Sequence, residues 1–239
     1  MENYAFSPWK EGRTQEEKQY LLQAEELEIK DGVEAIGNYT FYGCRNLKSL
    51  KFTDSLKQIG GGSFTGCSAL RKLYVKMSKN MPSCIKDVVA ETFHEVYVTI
   101  EFRETGEFAK LIFPEYYEEG VENTPARILE NHVHGSGIRY RNSFLHKKLN
   151  ILEYDKLFPY AEAWEEEEIV LKLALDRILY PMDLTETAEK KYIDYLHEHG
   201  EHAVGVLGKN KEYEAMHSIL DKITPDREQT EKMLERAQR

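Results

Sequence analysis

Between Leu27 and Lys76 the apolar positions alternate with polar ones in short runs, and the runs return. "LEIK" (27–30), "LKFT" (50–53) and "LYVK" (73–76) each read apolar, polar, apolar, polar, the period of a half-buried strand. Leu27, Leu50 and Leu73 recur every 23 residues, as do Ile29, Phe52 and Val75. Val33 and Leu56, Ile36 and Ile59, Phe41 and Phe64, and Leu47 and Leu70 keep the same interval. Within each unit a second short extended piece ("VEAIG", "LKQIG") follows the turn residues, and a Phe-containing turn closed by Gly-Cys comes next. One unit cannot bury its own apolar face, but stacked units set like over like and share a continuous core. Gly37 and Gly60 are expected where the chain turns tightly, a task suited to a residue without Cβ. Phe41 and Phe64 are expected to form a buried aromatic ladder. Cys44 and Cys67 form its next rung, each filling a slot too small for leucine. Repeat position accounts for both cysteines, and no basic neighbour is implied that would activate a thiol.

The two copies "IGNYTFYGCRNL" (36–47) and "IGGGSFTGCSAL" (59–70) resemble the BspA-type leucine-rich repeats, a bacterial family of stacked strand-turn units. The resemblance covers about residues 24–76. It implies a short β solenoid, and many members of that family bind other proteins at the cell surface. This chain shows no export signal or surface anchor, so the binding-scaffold role is the part expected to apply.

After Val75 the pattern changes. "SCIKDVVAETF" (83–93) has helical spacing, "EVYVTIEF" (95–102) alternates like a strand, and "EFAKLIF" (107–113) reads as its hairpin partner. A strand-helix-hairpin unit is therefore expected to cap the stack, covering its last apolar rung. From Pro114 onward helical periodicity dominates. Helices are expected near 124–133, 137–146, 151–162, 165–179, 185–198, 200–207, 210–222 and 225–237. These helices loosely resemble ankyrin-like helix-pair solenoids. The expected organisation is α+β: an N-terminal cap or extension at 1–23, a leucine-rich-repeat solenoid with its cap at 24–113, and an all-α helical domain at 114–239.

Composition narrows the functions. The formal net charge is −10, which opposes nucleic-acid and anionic-membrane partners, so neither is expected. No apolar run approaches the roughly 20 residues of a membrane span. Three scattered cysteines make no disulfide framework, and with no signal segment the expected location is the cytoplasm. No glycine-rich phosphate loop, nucleophile elbow, dinucleotide fingerprint or C-x-x-C pair is present, so no catalytic residue and no cofactor is assigned.

Two surfaces are candidates for contact. The outward columns of the strand runs are Glu28, Lys51 and Tyr74; Glu26, Ser49 and Lys72; and Lys30, Thr53 and Lys76. Lys51, Lys72, Tyr74 and Lys76 on a rigid sheet suit a protein partner. The competing reading is a plain solvated face. The second candidate is "ARILENHVHGSGIRYRNSFLHKK" (126–148), basic within an acidic chain. Its "HGSG" leading into a helix, with Arg139, Arg141 and His134, suits an anion such as a phosphate or a peptide carboxylate. Alternatively, its arginines pair with the chain's own surplus acids. His132 and His134 would diverge on a helix, and "LHEHGEH" (196–202) lacks the spacing of a zinc hydrolase, so no metal is assigned.

The leading expectation is thus a protein–protein interaction scaffold without catalytic activity. A receptor for a small anion or peptide carboxylate built on 127–148 is the alternative. A hydrolase with His132 or His134 as general base ranks last. Solenoid ends can also associate, which allows a homodimer.

Overall fold

The computed structural model describes residues 1–123, 128–209 and 211–223. They form two compact units, the first made of residues 1–108 and 113–150, the second of residues 109–112 and those from 151 onward. The architecture is α+β, a β solenoid of about three turns followed by a helical region.

In the first unit a capped helix α1 (Gln15–Gln23) leads into the repeats. Thr14 accepts from the Glu17 amide while the Glu17 carboxylate accepts from the Thr14 amide, a reciprocal cap that starts the helix. Strands β1 (Glu26–Glu28), β3 (Ser49–Thr53), β5 (Lys72–Met77) and β6 (Val96–Phe102) then lie side by side and parallel. Short strands β2 (Ala35–Ile36) and β4 (Gln58–Ile59) pair on a second face of the coil. Leu27 faces Leu50, Leu50 faces Leu73, and Leu73 faces Val98, so the columns read from the sequence are columns in space. Leu50, Leu73 and Phe52 are fully buried.

The strand "EVYVTIEF" continues this stack as a fourth rung. It runs parallel to β5 with Lys72 opposite Tyr97, an interval of 25 residues in place of 23, and with β7 (Phe108–Phe113) it forms the end of the sheet, where the capping unit is expected. The longer interval holds helix α2 (Ile85–Ala90), which buries Ile85, Val88 and Val89 where earlier units have turns. Strand β7 follows a turn in which the Phe102 amide donates to the Glu107 carbonyl. Residues 109–112 of β7 are counted with the second unit.

A second ladder runs through the Phe-containing turns. Tyr4 and Phe6 amides donate to the Asn38 and Thr40 carbonyls, and Tyr39 and Phe41 amides donate to Gly61 and Ser63. The segment before α1 is therefore itself a partial rung, and Phe6 extends the aromatic stack: Phe6–Phe41 and Phe41–Phe64 centroids are each 5.5 Å apart. Buried hydroxyls explain the Ser or Thr before each phenylalanine. Thr40 donates to the Gly37 carbonyl at 2.8 Å, and Ser63 donates both to its own rung at Gly60 and across to Gly37 at 2.9 Å. The glycines serve a different end from the one expected. Neither Gly37 nor Gly60 is left-handed. Added Cβ atoms would stand 2.6 Å from the Asn3 amide nitrogen and 2.4 Å from that of Asn38, so these positions admit the neighbouring rung.

Residues 114–150 belong to the first unit, whereas the expected boundary stood at 114. The helix expected at 124–133 is corrected by an antiparallel hairpin of β8 (Tyr117–Asn123) and β9 (Ile128–His134). The helix expected at 137–146 is short, α3 (Gly137–Arg141). It gives way to β10 (Phe144–Leu145) and β11 (Lys148–Leu149), joined through left-handed His146 and Lys147.

The second unit carries α4 (Ile151–Lys156), α5 (Phe158–Trp164), α6 (Glu167–Leu179), α7 (Glu186–Glu198), α8 (Gly200–Lys209) and α9 (Tyr213–Ile223). The single helix expected at 151–162 breaks at Leu157 because Pro159 lacks an amide donor and is tolerated only in a first turn. Its core holds a charged cluster: Arg177, fully buried, grips Asp155 through Nε (2.7 Å) and Nη2 (2.9 Å), and Tyr192 donates to the same carboxylate at 2.9 Å. The helix expected at 225–237 lies outside the described residues. Among the described residues no helix is long and apolar enough to cross a membrane.

Candidate functional site

The parallel strands place the outward residues in fixed columns. Glu26, Ser49, Lys72 and Tyr97 are successive neighbours, as are Glu28, Lys51, Tyr74 and Thr99, and then Thr53, Lys76 and Glu101. Backbone pairing on both sides of β3 and β5 holds these side chains at the strand spacing, about 4.8 Å between neighbours in a column. Tyr74 is 42 % exposed although it stands in the middle of the sheet. Lys51 approaches Glu28 at 3.6 Å, and Lys76 pairs with Glu101. Lys72 makes no ion pair among the described residues. Tyr97 and Thr99 complete the columns and escape a 23-residue reading, because the interval before β6 is 25.

A polar clasp edges this face. Arg103 reaches back to Asp54 at 2.9 Å and to Asp31 at 3.0 Å, residues that hold the same place in successive units. Both carboxyls are held below the usual range. For Asp31 the leading cause is the hydrogen bond from Thr53; for Asp54 the amide of Ser78 and Arg103 together outweigh burial. The clasp links residues of three rungs at one edge of the sheet.

The basic segment behaves differently from the expectation. Arg139 and Arg141 do not converge: Arg139 is exposed, and Arg141 is buried beneath α3. The Arg141 guanidinium donates to five backbone carbonyls. Nε reaches Val89 (3.0 Å) and Thr92 (2.9 Å), Nη1 reaches Pro114 and Gly137 (3.1 Å), and Nη2 reaches His94 (2.6 Å). Arg141 is therefore an internal bolt that gathers the carbonyls of separate segments, and its buried guanidinium is not presented to solvent. The "HGSG" glycines serve the same packing. A Cβ on Gly137 would lie 2.1 Å from the Pro114 carbonyl oxygen. His134 lies on β9, stacked on Tyr117 with centroids 4.4 Å apart and 3.4 Å from Glu119. The strand puts His132 and His134 on one side, where a helix would have separated them. Among the described residues no group of three or more His, Cys, Asp or Glu is placed to hold a metal ion.

The three cysteines are buried and free. Burial pushes the Cys44 thiol up to about 11 and those of Cys67 and Cys84 to about 12, so none is a nucleophile at neutral pH. Cys44 and Cys67 occupy equivalent places, each donating to the carbonyl of a phenylalanine one rung earlier, Phe6 and Phe41.

Residues 19–109 match the family model of the BspA type leucine rich repeat region, in 6 copies. The solenoid described above occupies that stretch. No curated protein matches the chain, and no solved structure matches it.

Proposed function

We propose that this chain is a non-catalytic protein–protein interaction scaffold whose working surface is the outward face of β3 and β5. Leucine-rich repeats in general serve protein contacts, which supports the reading over the matched residues. The observation that carries it is Tyr74, an aromatic ring left exposed at the centre of a rigid sheet and flanked in register by Lys51 and, along its own strand, by Lys72 and Lys76. Aromatic side chains presented on a rigid frame bury large area at low entropic cost. Three buried free thiols suit a reducing compartment such as the cytoplasm.

The test is affinity capture from the source organism's lysate with the full chain and with a Lys51→Glu/Tyr74→Ala variant. A specific companion retained by the wild type and lost with the variant is the expected result. A companion held equally by both moves the working surface off these strands.

A further inference from the structure

The partner's chemistry can be read from where the charges on this face sit, given that β3 and β5 are the working surface. The chain as a whole is acidic, with 42 Asp and Glu against 32 Lys and Arg. The two central strands reverse that balance. Their outward positions are Ser49, Lys51, Thr53, Lys72, Tyr74 and Lys76: three lysines, two hydroxyls, one tyrosine and no carboxylate. The acids of the sheet lie on the flanking strands, Glu26 and Glu28 on β1 and Glu101 on β6. Two of these already engage lysines, Glu28 with Lys51 and Glu101 with Lys76, in solvent-exposed pairs that hold weakly. Lys72 is different. Its lateral neighbours are Ser49 and Tyr97, so its ammonium faces no carboxylate across the sheet.

We propose that the face takes an acidic peptide segment in extended conformation, lying along β5. Lys72, Tyr74 and Lys76 occupy alternate positions of that strand, so they are spaced at about 6.6 Å. An extended partner repeats its own side chains on one face at that interval. The matching sequence is an acid, any residue, an apolar residue, any residue, and an acid, with the carboxylates on Lys72 and Lys76 and the apolar side chain on Tyr74. Lys51 and the hydroxyls of Ser49 and Thr53 line one flank of the same track, and Tyr97 and Thr99 line the other. The acidic remainder of the molecule repels such a partner elsewhere and so adds selectivity for the face.

This inference rests on the proposed working surface, and the test separates the two. A phage library of random dodecapeptides is panned against the full chain at low salt. The enriched peptides are then labelled with fluorescein and titrated by anisotropy against the wild type, Lys72→Glu and Tyr74→Ala. Circular dichroism melts confirm that both surface variants stay folded. The expected result is enrichment of net-negative peptides with the acid–x–apolar–x–acid spacing. Lys72→Glu should weaken their binding by about tenfold or more, and added salt should weaken it as well. Neutral or basic winners that still depend on Tyr74 overturn the acidic partner and leave the face standing. Winners indifferent to both variants, or no winners, overturn the acidic partner and count against the face.

Discussion

Arg13 and Glu91 terminate the same backbone ladder at its opposite ends. In this ladder each rung's amides donate to the carbonyls of the next, so the first rung leaves carbonyls without donors and the last leaves amides without acceptors. Arg13 supplies the missing donors, from Nε to the Ser7 carbonyl at 2.8 Å and from Nη2 to that of Ala5. Glu91 supplies the missing acceptors, taking the Gly62 amide at 2.7 Å and the Phe64 amide at 2.6 Å, one on each carboxylate oxygen. A guanidinium and a carboxylate each carry paired groups at the spacing that two alternate backbone positions require.

Glu91→Ala should therefore lower the unfolding free energy of the solenoid by about 2–3 kcal/mol, since two partly buried amides lose charge-assisted partners. Glu91→Gln should recover only part of this, because its amide offers one oxygen where the carboxylate offers two. Arg13→Ala, at a more open site, should cost about 1 kcal/mol. Urea denaturation of the three variants checks the order.

Arg141→Lys should be among the most damaging conservative changes in the chain. Five carbonyls would share one ammonium with three donors, and the remaining buried oxygens would lose their partners, a loss of about 3–5 kcal/mol. Gly137→Ala should produce a similar loss through steric conflict with the Pro114 carbonyl. Thermal melts of both variants, each compared with exposed Arg139→Lys, test the contrast.

Asp176 should make the stability of the helical unit depend on pH. Burial pushes its carboxyl up to about 7, with Glu212 adding to the rise and Lys110 and Lys172 opposing it. The folded form then binds a proton that the unfolded chain, titrating near 3.9, has released. Stability contributed by this site is fully present below about pH 4 and falls as pH rises toward 7. Asp176→Asn should flatten that slope in urea titrations of α-helical signal at pH 5 and pH 7.5.

The thiols should be silent in the native state. At pH 8 a thiol reagent such as dithionitrobenzoate should label none of Cys44, Cys67 and Cys84 on the folded protein and all three after denaturation. Rapid labelling of one cysteine in the native state would contradict its burial.

Much of the solenoid is legible in the sequence. Strand alternation and a strict 23-residue interval set Leu27, Leu50 and Leu73 in one column, because stacked rungs must place like side chains over like. The Phe41–Phe64 stack, the buried cysteines and the outward Lys51–Tyr74 column follow from the same repeat. The helices α6, α7 and α8 were readable from 3.6-residue periodicity, which is local.

What only the tertiary structure decided lies where the repeat is broken or where a side chain serves residues distant in sequence. Phe6 joins the aromatic stack 35 residues ahead of Phe41, an interval that no 23-residue frame contains. Tyr97 joins the strand face at an interval of 25, because α2 replaces a turn. Arg141 has the local sequence of a basic surface residue, yet four of the five carbonyls it meets lie 27 to 52 residues away. Its role depends on the close approach that Gly137 permits, and spacing along the chain carries no sign of that approach. The repeat determines what each rung needs from its neighbour. Which residues stand in for the absent neighbour at the two ends, Arg13 and Glu91, is decided only once the chain has folded.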